Sequence, residues 1–140
     1  MLEYTLRRGA ECWLRLCAHR QGLYWYTQAH SAFCSAQPVR LLAEQGGVCR
    51  NLGVLQPEPS GGMTLQGRLS ASGFAFTPQV RLRLESPAGR MQLTLAGRRV
   101  LLEPFCPEKP FQDAEAFCLW RVERIGESFY WLREADDGDS

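Results

Sequence analysis

The chain has 140 residues, 45% of them hydrophobic and 22% charged, with a formal net charge of +1. This is the size and composition of one globular domain, long enough to bury roughly two-thirds of its unfolded surface without a metal or disulfide to hold the core. The near-zero charge argues against a nucleic-acid or membrane partner recruited by charge, and the longest apolar runs, such as Val100-Leu101-Leu102, fall far short of the roughly 20 residues that cross a bilayer.

Taken in chain order, residues 12–17 and 23–32 read as strands joined through Arg20-Gln21-Gly22. Residues 39–44 and 48–55 follow, joined at Gly46-Gly47, where glycine accepts a positive φ that a side chain resists. Two prolines and two glycines make residues 56–62 a turn. In 63–70, Met63, Leu65, Gly67 and Leu69 alternate with Thr64, Gln66, Arg68 and Ser70. In 80–85, Val80, Leu82 and Leu84 alternate with Arg81, Arg83 and Glu85, the cleanest half-buried pattern in the chain. After a turn at 86–89, Met91, Leu93 and Leu95 repeat that pattern, and Gly97-Arg98 turns the chain into 99–103. Three prolines make 104–110 a loop, residues 111–116 carry a short helical turn, and 117–123 with 128–134 form a last hairpin. The acidic residues 136–140 read as a frayed tail on a single domain spanning 1–135. About ten short strands, with no helix of crossover length between them, define an all-β protein: an antiparallel sandwich or a small barrel.

All basic residues but Lys109 are arginine, spread from Arg7 to Arg133 rather than gathered in a patch. Six cysteines (Cys12, Cys17, Cys34, Cys49, Cys106 and Cys118) accompany a start without a basic segment followed by an apolar one. The expectation is a cytoplasmic protein whose six thiols are free and mostly buried.

The two ends of the chain look alike. Cys12-Trp13-Leu14-Arg15-Leu16 aligns without gaps to Cys118-Leu119-Trp120-Arg121-Val122, and at the same offset Leu23-Tyr24-Trp25-Tyr26 falls on Phe129-Tyr130-Trp131-Leu132. A four-residue loop over 18–21 then sets Leu16 opposite Leu23, Leu14 opposite Trp25 and Arg15 opposite Tyr24. In the last hairpin it sets Val122 opposite Phe129, Trp120 opposite Trp131 and Arg121 opposite Tyr130. Each hairpin gains an apolar face and an Arg/Tyr face. On that reading Trp13, Arg15, Tyr24 and Tyr26, with the counterparts Arg121 and Tyr130, form a binding surface, because Tyr, Trp and Arg are the residues enriched at interface hot spots. The structural alternative packs the same aromatics into the core with arginine lying over tyrosine.

Catalytic and metal chemistry find little purchase. Cys17-x-His19 and His30-x3-Cys34 supply zinc-type ligands, but His19 at a hairpin tip and His30 on the return strand stand on the order of 25 Å apart. No Cys-x2-Cys pair, Gly-x-Ser-x-Gly elbow or phosphate-cradling Gly-Lys-Ser/Thr exists, and Ser60-Gly61-Gly62 is a turn. Glu103 and Glu108 lie on loops, where carboxylates are solvated. His30 with Cys34 is the nearest His–Cys pair in sequence, and a pocket joining them would favour an enzyme. No catalytic residue, metal or cofactor is expected.

Gly22-Leu23-Tyr24-Trp25, residues 51–58 (Asn51 to Glu58), and Pro110-Phe111 followed by Cys118-Leu119 resemble short β-rich proteins of gut Firmicutes. The resemblance implies a bacterial, cytoplasmic, β-rich protein and carries no activity with it. Three readings follow, in order: a non-catalytic binding or interaction module, with a strand edge open to homodimer formation; a small-ligand binder with a cavity between sheets; and a small hydrolase-type enzyme.

Overall fold

The computed structural model describes residues 1–104 and 121–136; the expected helical turn at 111–116, Cys106 and Cys118 lie outside them. Thirteen strands occur among the described residues: β1 (Leu2–Arg8), β2 (Glu11–Gln21), β3 (Tyr24–Ser31), β4 (Phe33–Cys34), β5 (Arg40–Gln45), β6 (Val48–Val54), β7 (Gln56–Pro57), β8 (Met63–Ser70), β9 (Arg81–Glu85), β10 (Met91–Leu95), β11 (Arg98–Pro104), β12 (Arg121–Ile125) and β13 (Ser128–Asp136). All ladders are antiparallel. They form a first sheet ordered β1-β2-β3-β8-β7, a second ordered β12-β13-β11-β10-β4, and a third ordered β6-β5-β9. None of the three closes into a barrel among the described residues, and the fold is an all-β, sandwich-like one.

The strongest sequence signals sit where the structure has its clearest strands. The alternations around Leu82/Leu84 and Met91/Leu93/Leu95 become β9 and β10, with the leucines and Met91 buried. Gly46 (φ +58°) and Gly47 (φ +80°) make the two-residue loop between β5 and β6. Strand β1 went unread, although Leu2, Tyr4 and Leu6 face inward in alternation with exposed Glu3, Thr5 and Arg7. At the other end β13 continues through Asp136, which pairs with Arg98, so the expected tail begins inside a strand.

Inward faces of all three sheets meet in one buried cluster. Leu14 and Leu16 come from the first sheet, Phe33, Leu93, Leu102 and Leu132 from the second, and Leu41, Leu82 and Leu84 from the third. The chain passes from the first sheet to the second within one residue, between β3 and β4. At that corner the buried Ser31 Oγ donates to the Phe33 carbonyl at 2.7 Å and accepts the Met63 N–H at 3.0 Å, closing three strands on one hydroxyl. Gly62 (φ +76°) lets the corner close, since a Cβ there would stand 2.2 Å from the Ser31 carbonyl oxygen. A second tie is ionic: Arg8 of β1 pairs with Glu123 of β12 (3.2 Å) and with Glu134 of β13, while Arg98 pairs with Glu134 (3.6 Å) and Glu11 (2.6 Å). Burial alone would lower the Arg8 pKa, but Glu134 and Glu123 outweigh it and raise it.

Both end hairpins differ from the expected register. Gly22-Leu23 is a two-residue loop with glycine first (φ +62°), the arrangement of a II′ turn, so β2 runs on to Gln21. Arg15 therefore faces His30, Leu16 faces Ala29 and Leu14 faces Ser31. The last hairpin turns at Gly126-Glu127 (Gly126 φ +64°), which sets Tyr130 opposite Glu123, Trp131 opposite Val122, and Arg121 opposite Leu132. At the offset that aligns the two ends, Gly22 falls on Ser128 rather than on Gly126. The resemblance in sequence is thus two residues out of step with the hairpins themselves.

The described cysteines also depart from expectation. Cys12, Cys17, Cys34 and Cys49 are free, but Cys12 and Cys17 are half-buried and Cys34 and Cys49 exposed. Cys17 and Cys34 occupy outward strand positions, where alternation hands the core to Leu16, Ala18 and Phe33, and Cys49 lies in a run of exposed residues, 48–51, at the start of β6.

Candidate functional site

The two-residue period of β2, β3 and β8 sorts their side chains. Leu14, Leu16, Ala18, Thr27, Ala29, Met63 and Leu65 are buried, and the residues between them point outward. Register then lines the outward residues up in rows across the sheet. His19, Tyr26 and Arg68 form one row, Cys17, Gln28 and Gln66 the next, and Arg15, His30 and Thr64 a third.

The first row is aromatic and cationic. The His19 and Tyr26 rings stack at 5.6 Å between centroids and 21° between planes. Tyr24, two residues before Tyr26 on the same face, meets it edge-on at 6.5 Å and 62°. The Arg68 guanidinium carbon lies 4.5 Å from the centre of the Tyr24 ring, a cation–π contact. The second row is neutral and polar. Gln28 and Gln66 stand directly opposite each other, and among the described residues neither amide has a hydrogen-bond partner. The Cys17 thiol donates to a Glu3 carboxylate oxygen at 3.8 Å. Partial burial, with the Glu3 charge beside it, raises the thiol pKa. Between the two rows lies a depression of about 250 Å³ lined by Met1, Cys17, His19, Tyr26, Gln28 and Gln66, with Thr27 and Gly67 completing it.

Of the residues expected to form a binding surface, Arg15, Tyr24 and Tyr26 lie on this outward face. Trp13 does not. Strand β2 bulges there, since Leu6 pairs with Leu14 but Arg7 with Cys12, leaving Trp13 as the extra residue. The bulge resets the alternation, and Trp13 turns inward beside Leu14, 1% exposed, with its indole N–H donating to Glu11 at 2.7 Å. Tyr130 is also buried, on the inner face of the second sheet. Its hydroxyl donates to the Leu84 carbonyl (3.2 Å) and accepts the Leu84 N–H (3.1 Å), capping the free edge of β9. Burial pushes the Tyr130 pKa up to about 12, against the lowering effect of its backbone bond. Arg121 lies in β12, and its side chain is outside the described residues. His19, weighed in sequence only as a zinc-type ligand, completes the face with Gln28, Gln66 and Arg68, which were not singled out as site residues. The alternation of 63–70 was the available signal, but nothing local says that β8 pairs with β3.

Two other places were tested for chemistry. A groove of about 480 Å³ follows β9; in it Arg83 pairs with Glu44 (3.5 Å) and Glu85 (3.9 Å), and Tyr130 caps the strand. His30 turns its Nδ1 to Glu58 at 3.2 Å, whereas the Cys34 thiol donates to the Gly62 carbonyl at 3.4 Å. The imidazole and the thiol thus engage separate partners and do not form a nucleophile–base pair. Among the described residues no three His, Cys, Asp or Glu side chains gather as a metal site, and no helix is long and apolar enough to cross a membrane.

The geometry of this face is therefore an open, hydrogen-bonding patch flanked by tyrosines and Arg68, rather than a cleft of convergent ionisable groups. Compared with family models, with curated proteins and with solved structures, the chain matches none.

Proposed function

We propose that the protein is a non-catalytic binding module that engages its ligand on the outward face of the first sheet. The observation that carries this reading is the depression between the two rows, where the Gln28 and Gln66 amides have no partner among the described residues and stand beside the Tyr26–His19 stack. Polar side chains exposed in a concavity and flanked by aromatic rings are what a surface needs to exchange water for a ligand. Along β9 the Arg83 charge and the strand edge are already engaged. A cavity between the sheets gains no such support, because Trp13, Phe33, Tyr130 and the core leucines fill that space. A bacterial, cytoplasmic setting without nucleic-acid or membrane partners belongs to the same proposal; a reducing compartment would keep thiols such as the exposed Cys34 and Cys49 free.

The test is a thermal-shift screen of sugars, nucleotides and metal salts against the full chain and a Tyr26→Ala variant. A ligand at about 100 times its Kd stabilises by about 2.7 kcal/mol, and that gain should vanish in the variant. A compound that stabilises both chains equally places binding elsewhere.

Self-association through an exposed edge is the second reading, favoured by β6. This strand closes the third sheet, its residues 48–51 are all exposed, and Val48 is 47% exposed. Size-exclusion chromatography with light scattering distinguishes a dimer from a monomer, and Asn51→Pro on that edge should abolish a dimer formed there.

A further inference from the structure

We infer that the depression on the first sheet takes a neutral sugar ring, held by the opposed amides of Gln28 and Gln66 against the Tyr26–His19 stack. This rests on the reading of that face as the binding surface and names its ligand class.

Size sets the first limit. At about 250 Å³ the depression is smaller than the roughly 300–1,000 Å³ of sites for drug-sized ligands, so it accommodates one small ring rather than an extended chain. Charge sets the second. The lining contains no carboxylate and no guanidinium. Cys17 is a thiol bonded to Glu3, and Arg68 lies over the Tyr24 ring. A cation would lose its hydration there without gaining a counter-charge from the lining.

Hydrogen-bonding chemistry selects among neutral ligands. Each amide offers an acceptor oxygen and two N–H donors. Facing each other across the β3–β8 ladder, the two can serve neighbouring hydroxyl groups, each of which both donates and accepts. An apolar ligand would instead cover those amides and leave them unsatisfied. A sugar ring also carries apolar C–H patches suited to aromatic neighbours, and Tyr26 and His19 both line the depression. Gly67 and Thr27 keep the middle of the depression low, because both are inward positions of their strands.

Two-dimensional nitrogen–proton NMR of the full chain tests this directly, because glutamine side-chain amides appear in the spectrum beside the backbone. Glucose, galactose, mannose and N-acetylglucosamine are titrated, with uridine and inorganic phosphate as counter-probes. The expected result is that at least one sugar moves the side-chain signals of Gln28 and Gln66 and the backbone signals of Cys17 and Tyr26. For so shallow a site the Kd should be on the order of 1 mM. Gln28→Leu with Gln66→Leu should weaken binding at least about tenfold with an unchanged dispersion of signals; if that pair folds poorly, Gln66→Asn alone withdraws one amide by a methylene. Sugars that leave these signals still while uridine or phosphate moves them overturn the sugar assignment and leave the binding surface standing. Sugars that move signals only elsewhere, or no movement with any probe, overturn it as well.

Discussion

Hairpins β2–β3 and β12–β13 each turn on a two-residue loop that begins with glycine, and each carries a tyrosine four residues beyond it: Tyr26 after Gly22, and Tyr130 after Gly126. Local geometry treats these tyrosines alike, one opposite His19 and the other opposite Glu123. Their surroundings do not. Tyr26 stands on an open face, whereas Tyr130 is 1% exposed and caps β9 from inside. The tips differ in the same way: Leu23 is 78% exposed, while the Gly126 N–H donates to the Arg7 carbonyl at 2.7 Å. A hairpin fixes which residues share a face; the sheets packed against it decide which face is buried, and so which tyrosine is available to a ligand.

Replacing the two tyrosines should separate the hairpins most sharply. Tyr130→Ala is expected to cost about 3–5 kcal/mol, the range for emptying a buried aromatic site, and Tyr26→Ala under about 1 kcal/mol, the worth of a cross-strand pair. Urea unfolding measures both, and equal losses would break the comparison.

Alkaline pH probes the same contrast without mutation. The Tyr130 pKa is raised from 10.0 to about 12 in the folded chain, so the unfolded chain gives up that proton first. Tyr130 therefore contributes stability that is fully present below pH 10 and is lost as pH rises to about 12. Two units correspond to about 2–3 kcal/mol. Unfolding free energies at intervals across that window should fall for the parent chain, and the Tyr130-specific part of the fall should be missing in Tyr130→Phe.

The loop glycines give a smaller difference. Both adopt a positive φ, so alanine costs roughly 1–2 kcal/mol at either. A Cβ on Gly22 meets nothing within 4 Å, but one on Gly126 would stand 2.6 Å from Cδ1 of the fully buried Leu6. Gly126→Ala should therefore lose about 1–3 kcal/mol more than Gly22→Ala, read as a difference in urea midpoint. Smallest of all, Leu23→Ser at the free tip should change stability by no more than about 0.5 kcal/mol.

Strands with uninterrupted alternation were legible in sequence, because burial on one face writes period two directly into β9 and β10. Trp13 was misplaced because a bulge breaks that period without any mark at its own position. Arg15 and Tyr24 were put opposite each other because a four-residue loop was placed over 18–21, whereas the chain turns on the two residues Gly22-Leu23. The candidate site was half visible: Arg15, Tyr24 and Tyr26 share the face they were given, while Gln66 and Arg68 reach it through the β3–β8 ladder. That pairing closes over dozens of intervening residues, and no local propensity announces it.

Ser31 has a kinetic consequence. Its hydroxyl accepts the Met63 N–H inside a fully buried corner, where the first sheet hands the chain to the second. Freeing that amide to solvent requires β3, β4 and β8 to part together, since no single strand can fray without the others. The Met63 amide proton should therefore exchange with deuterium only when the whole domain opens, and its exchange rate becomes a built-in gauge of global stability.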